Sequence, residues 1–281
     1  MIRPPWRDRH GRLLPIKAAV FPALFLPGLV LAFWWATGSL GGRPVMEVIH
    51  GSGLWTIRLM MISLAITPAR VVFDWPKLLL VRRMVGVAAM AYGLTHLCLY
   101  VVDQSFRLPT VVSEIVLRFY LTLGFVALVG LSVLGATSTD AAVRRLGRRW
   151  KWLHRAVYLI AVLALWHYFI QSKAIVSEAV MFAGFYVWLM GWRAAPATWQ
   201  RKLVALLVLS LLAAFATAWI EFGWYALTTG INPWRVLAAN ESIGFGLRPA
   251  HWVLVVGLGV TLLAGGLRLW RATVPPLVTA R

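Results

Sequence analysis

The feature that most constrains this chain is a recurring one: stretches of about 20 residues with almost no charge, separated by short polar segments. Ala18 to Gly38, Gly86 to Val102 and Leu203 to Ile220 are three of them. At about 1.5 Å per residue, each is long enough to cross a hydrocarbon core of about 30 Å as a helix. Lipid leaves backbone polar groups no water to bond, so segments of this kind must be helical. The expected fold is an all-α integral membrane protein. Apolar runs place helices near 18–38, 53–73, 84–102, 114–137, 152–171, 175–192, 202–222 and 250–270, a bundle of about eight.

Charge sets the orientation. The chain carries 28 Lys and Arg against 9 Asp and Glu, a net +19 over 281 residues. About 21 of the positive residues fall on the segments that are cytoplasmic if the N-terminus is inside, which predicts an N-in, C-in bundle. Trp34, Trp35, Trp224 and Trp252 at outer ends, with Trp75, Trp150, Trp192 and Trp270 at inner ends, fit two interfacial belts. No basic stripe extends beyond these loops, so no nucleic-acid partner is expected. Arg3, Arg7, Arg9 and Arg12 before an apolar run resemble a signal peptide. The run is too long and lacks a small-residue cleavage site, so it is read as the first span.

Several chemistries are missing. Cys98 is the lone cysteine, which rules out an internal disulfide and a CxxCH haem attachment. No GxGxxG or GxxxxGK[ST] motif is present, and the longest loop, roughly Gly223 to Pro249, is too short for a nucleotide domain. Gly257, Gly259, Gly265 and Gly266 in the last span suit close helix packing. No convincing repeat stands out.

Ionisable groups inside spans are costly, which singles out His96 in the third helix and His167 in the fifth. Counted from Met84 and Trp152, they lie about 18 and 22 Å up helices that both run outward, so the imidazoles can meet at one level. Neutral imidazole binds low-spin iron axially, and a haem would replace lipid-like packing between the helices. Interhelical hydrogen bonds or a proton path would also accommodate two such histidines. Met90, Tyr92 and Tyr168 nearby are read as ordinary span filler.

His154 lies 13 residues before His167, and the same step back from His96 lands on Arg83, next to Arg82. A guanidinium that stays protonated cannot ligate iron. His plus Arg instead suits a quinone site, with Arg82 or Arg83 on a quinone oxygen and His154 moving its proton; positive-inside anchoring is the plainer role for the arginines. Arg144, Arg145, Arg148, Arg149 and Lys151 read as orientation charge, and Thr139 and Asp140 as helix caps. Arg58 and Arg118, just inside outer boundaries, are haem-propionate candidates or snorkelling residues. His50, in an outer loop, and His251 rank below the buried pair, and His10 belongs to the tail.

AITPAR (65–70), RRMVG (82–86), THL (95–97), RFYLTLG (118–124) and TSTDAAVRRLGRRWKWLHRAVYL (137–159) with HY (167–168) resemble the MsrQ/YedZ family. These are haem-binding membrane subunits of periplasmic methionine sulfoxide reductase systems, within the ferric-reductase-like transmembrane superfamily. The resemblance covers about residues 15–192. It implies a b-type cytochrome of the bacterial inner membrane that passes electrons from the quinone pool to a periplasmic, molybdopterin-dependent (MsrP-like) reductase. Haem histidines then fall on His96 and His167, with a third at His154 as a quinone or second-haem residue beside Arg82 and Arg83. FMN is also associated with the family, with no motif here to place it.

The expected organisation is a cytoplasmic tail (1–17), a six-helix haem-binding domain (18–192) and a C-terminal extension (193–281) with two more spans. The extension departs from the family pattern; Glu221, Trp234, Arg235 and Glu241 in it are candidates to dock a partner or cap helices. Two rival functions are reduction of ferric or other small substrates at the outer face and haem-free proton-coupled transport.

Overall fold

The structure, a computed structural model, describes residues 6–7, 11–173, 175–244 and 246–273. Arg3, Arg9 and His10 of the tail and Arg281 lie outside the described residues. The elements are α1 (Pro15–Ala23), α2 (Leu26–Ala36), α3 (Pro44–Val72), α4 (Leu79–Asp103), α5 (Leu108–Leu117), α6 (Phe119–Ala136), α7 (Asp140–Leu146), α8 (Arg148–His154), α9 (Val157–Gln171), α10 (Ser177–Ala194), α11 (Leu203–Thr228), α12 (Pro233–Ala238) and α13 (Pro249–Thr273). Seven segments among the described residues are long and apolar enough to cross a membrane: α1 with α2, α3, α4 with the turn before it, α6, α8 with α9, α11 and α13. The chain is a helical, multi-pass membrane protein.

The expected sixth span is present as α10 but is not among those seven. It carries Glu178 and Arg193 near its ends and buries Ala179, Val180, Phe182, Gly184, Trp188, Leu189 and Trp192. Protein, rather than lipid, covers much of it, so its sequence is under less pressure to be apolar throughout. Three boundaries also differ from expectation. α3 starts at Pro44, a residue pre-set for the first helical turn, so His50 lies within the helix and not in a loop. The expected 114–137 helix breaks at Arg118, whose backbone is extended (φ −101°, ψ 105°); Thr122 Oγ1 donates to the Ile115 carbonyl across the break. The long outer loop holds a short helix, α12, capped by the Asn232 side chain.

The chain divides into two compact units, residues 1–66 with 77–171, and 67–76 with 172–281. In the first, α6 packs on α9 and α4, and α1 on α4. Its first span is interrupted between α1 and α2, where Pro22 and Pro27 disturb the hydrogen-bond ladder. Tyr92 of α4 fills the gap: its hydroxyl accepts from Gly28 N–H (2.8 Å) and donates to the Leu24 carbonyl (2.9 Å). One hydroxyl thus replaces the missing i to i−4 bond, the kind of insertion that kinks a helix without orphaning its backbone. In the same unit, Thr139 caps α7 by accepting from Ala142 N–H, as its sequence position suggests.

In the second unit α11 packs on α13, α10 and α12, and α10 also packs on α13. Trp188 Nε1 donates to Ser210 Oγ (3.1 Å), which donates to the Leu206 carbonyl (2.7 Å). At the far end of α11 Glu221 is fully buried, ion-paired to Arg248 (2.6 Å) and accepting from Asn240 Nδ2 (3.0 Å). His251 donates through Nε2 to the Asn240 carbonyl and accepts from Arg248 N–H at Nδ1. Both of its nitrogens are therefore committed to holding this end together. Of the extension's four singled-out residues, Glu221 is a buried clasp, and Trp234 rests edge-on against Phe222 and Trp219.

Two stability changes should follow. Tyr92→Phe removes both bonds across the α1–α2 gap and should cost about 1–2 kcal/mol, read as a lowered thermal midpoint in detergent. Arg248→Ala strands the Glu221 carboxylate and should cost about 3 kcal/mol, with Glu221→Gln in the same background recovering part of the loss. A wild-type midpoint for either single variant would contradict the role given to that residue.

Candidate functional site

The two histidines singled out by depth meet. His96 on α4 and His167 on α9 have ring centroids 6.4 Å apart, with ring planes 80° to each other. Each ring is anchored the same way. His96 Nδ1–H donates to the Ile49 carbonyl of α3 (2.8 Å), and His167 Nδ1–H donates to the Tyr120 carbonyl of α6 (2.7 Å). Carbonyl acceptors force the proton onto Nδ1, so each ring keeps its lone pair on Nε2. That is the arrangement of a histidine prepared as a metal ligand, with the remote nitrogen tied to a backbone oxygen. Tyr120 also lies parallel to the His167 ring, centroids 6.3 Å apart at 23°.

Two imidazoles are a small donor set. Among the described residues no group of three or more His, Cys, Asp and Glu converges. A porphyrin iron brings four nitrogens of its own and needs only two axial donors. The spacing fits that need: two metal–nitrogen bonds of about 2 Å, plus about 1.1 Å from each nitrogen to its ring centre, total about 6.2 Å.

The anchors repeat with a fixed register. A single translation along the sequence carries Ile49 to Tyr120, Gly53 to Gly124, His96 to His167 and Arg83 to His154. Each glycine sits four residues after the accepting carbonyl, with the imidazole lying over it. These glycines are the site residues that sequence reasoning missed. Side-chain similarity between the halves is too slight to suggest a repeat, but the shared spacing of the Gly and His positions was there to be found.

The other candidates are placed as follows. His154, at the end of α8, donates from Nδ1 to the Trp150 carbonyl (3.1 Å), and its Nε2 lies 3.3 Å from Ser138 Oγ. The Trp150 ring stacks on it at 3.9 Å. Trp150 Nε1 in turn donates to the Thr137 carbonyl (2.9 Å), tying α8 to the end of α6. The charges of Arg82 and Arg83 reach His154. Arg83 is itself paired with Asp140 at the start of α7 (2.5 Å). Arg58 lies 5.0 Å over the Trp55 ring, five residues beyond Gly53 on α3. Arg118 pairs with Glu114 and donates to the Tyr120 hydroxyl (3.4 Å). His50 is exposed on α3, beside the carbonyl that holds His96.

Residues 52–165, which include His96, Gly53, Tyr120 and Gly124 and end two residues before His167, match the family described as the ferric reductase like transmembrane component. The curated relatives include proteins named as the heme-binding subunit MsrQ of protein-methionine-sulfoxide reductase. The one from Rhodospirillum rubrum is 41% identical over 198 residues, covering 70% of this chain and 93% of the relative. Those from Azospira oryzae and Bordetella pertussis are 36% and 37% identical, covering 65% and 64% of this chain and 79% and 91% of theirs. No solved structure matches the chain. With a relative this similar matched over nearly all its length, the chain belongs to the MsrQ family.

Proposed function

We propose that this protein is a b-type cytochrome of the bacterial inner membrane, oriented N-in and C-in, that carries electrons from membrane quinol to a periplasmic reductase. The observation that carries the reading is the His96–His167 pair, two imidazoles at axial spacing with both Nδ1 protons committed to backbone carbonyls. Haem would be held by His96 and His167 and would supply one-electron chemistry. Arg58 and Arg118 flank this level and are the candidates for its propionates.

Quinol belongs at the other level. Arg82 and Arg83 supply positive charge for a quinone oxygen, and His154 Nε2 supplies a site for one of the two protons released as quinol gives up two electrons. Asp140 holds Arg83 by ion pairing, and Trp150 fixes the His154 ring. The electron acceptor is a methionine sulfoxide reductase, in keeping with the names of the relatives, and is of the molybdopterin-dependent MsrP-like kind.

Purified protein should show a reduced-minus-oxidised b-type spectrum, and His96→Ala and His167→Ala should each abolish stoichiometric haem. If both variants keep the spectrum and the haem content, the axial assignment is wrong. His154→Ala should leave that spectrum in place and slow reduction by a soluble quinol analogue by about 100-fold. Loss of haem from this variant, or quinol reduction at the wild-type rate, would remove His154 from the quinol site.

A further inference from the structure

We propose that Gly53 and Gly124 are positioning residues: they let each imidazole close onto the carbonyl one helical turn earlier, and so set the orientation of both iron ligands. The proposal rests on His96 and His167 being the axial pair, and adds the residues that control them from the neighbouring helices.

The geometry is close-fitting on both sides. A methyl carbon at Gly53 would lie 2.9 Å from His96 Nδ1 and 3.0 Å from Cε1. One at Gly124 would lie 2.8 Å from His167 Nδ1, 2.9 Å from Cε1 and 3.0 Å from Cγ. Non-bonded carbons prefer about 3.5–4.0 Å, so each ring would have to move by several tenths of an ångström. Neither ring can move freely, because its Nδ1–H is held by Ile49 or Tyr120 at 2.8 and 2.7 Å. Alanine therefore forces a choice between the carbonyl bond and the ring's position. That bond fixes the tautomer and raises the basicity of Nε2, and losing such an outer contact typically weakens metal binding by about 10-fold or more.

The same device occurs twice, on α3 for α4 and on α6 for α9, at identical offsets from carbonyl to glycine to histidine. General packing does not require that coincidence. Other glycines of this unit meet aliphatic groups: a methyl at Gly51 would lie 2.7 Å from Leu31 Cδ2, and one at Gly130 would lie 2.9 Å from Ile160 Cδ1. These two offer contacts just as short on the same helices, against the ends of aliphatic side chains and without touching a ligand.

The test uses the full chain purified with haem. Gly53→Ala and Gly124→Ala should each speed haem transfer to excess apomyoglobin by about 10-fold or more and add a high-spin fraction to the ferric spectrum. Gly51→Ala and Gly130→Ala should change neither. Wild-type retention and spectrum in the first pair, or equal changes in the second, would overturn the proposal. If His96→Ala and His167→Ala keep their haem, it is the axial reading that has failed.

Should Gly124→Ala not fold, the His167→Gly background removes the clash, and added imidazole then serves as the ligand. Restoring the low-spin spectrum should take about 10-fold more imidazole in the Gly124→Ala, His167→Gly double variant than in His167→Gly alone. Equal titrations would overturn the proposal.

Discussion

Hydrocarbon offers no water to a polar group, so every donor and acceptor within a span must find its partner in the protein. Backbone carbonyls have a second lone pair after the helix ladder has used the first, and in this chain that spare capacity is where the polar side chains go. Ser132, Thr137, Ser138, Ser210, Thr217 and Thr261 all donate to the carbonyl one turn back. The two central histidines do the same across helices. Satisfying Nδ1 on a carbonyl removes the cost of burying an imidazole and, in the same stroke, decides which nitrogen keeps its lone pair.

The two units use their buried polarity differently. In the first it converges on one pair of rings, both held by backbone, both with a free nitrogen lone pair. In the second it closes on itself: Glu221, Arg248, Asn240 and His251 bond mainly to one another at one end of α11 and α13. Both contain a histidine near a helix end, but His251 has no nitrogen left over. The sequence ranks it below the buried pair from its place at an outer helix end, and contains nothing that foretells these two bonds.

Much of the first unit was legible because depth in a bilayer is a linear count. His96 and His167 lie on helices running the same way, and the fixed rise of a helix brings them to one level without knowledge of the packing. The equal steps back to Arg83 and His154 were legible for the same reason. What a count cannot give is the neighbour across the interface. Gly53 and Gly124 look like ordinary small residues of a span until the ring over each is seen, and Tyr92 looks like filler until the gap at Leu24 is. The breaks were hidden for a related reason: an extended Arg118 costs little where Thr122 and Glu114 take up the loose groups, and neither partner marks a boundary by itself. α10 was found by its apolar run, yet it is less apolar than the seven spans because burial against α11 and α13, not lipid, shapes its composition.

The Tyr92 bridge bears on the order in which the chain can be made. The first span leaves the ribosome well before Tyr92, yet its own ladder stays open between Leu24 and Gly28 until that hydroxyl arrives. During synthesis the nascent first helix must keep this gap wet, at the membrane surface or in the insertion channel, or else straighten and later bend. Completion of the first span is thus deferred to the arrival of α4, a checkpoint in biogenesis that ties together two elements far apart in the chain.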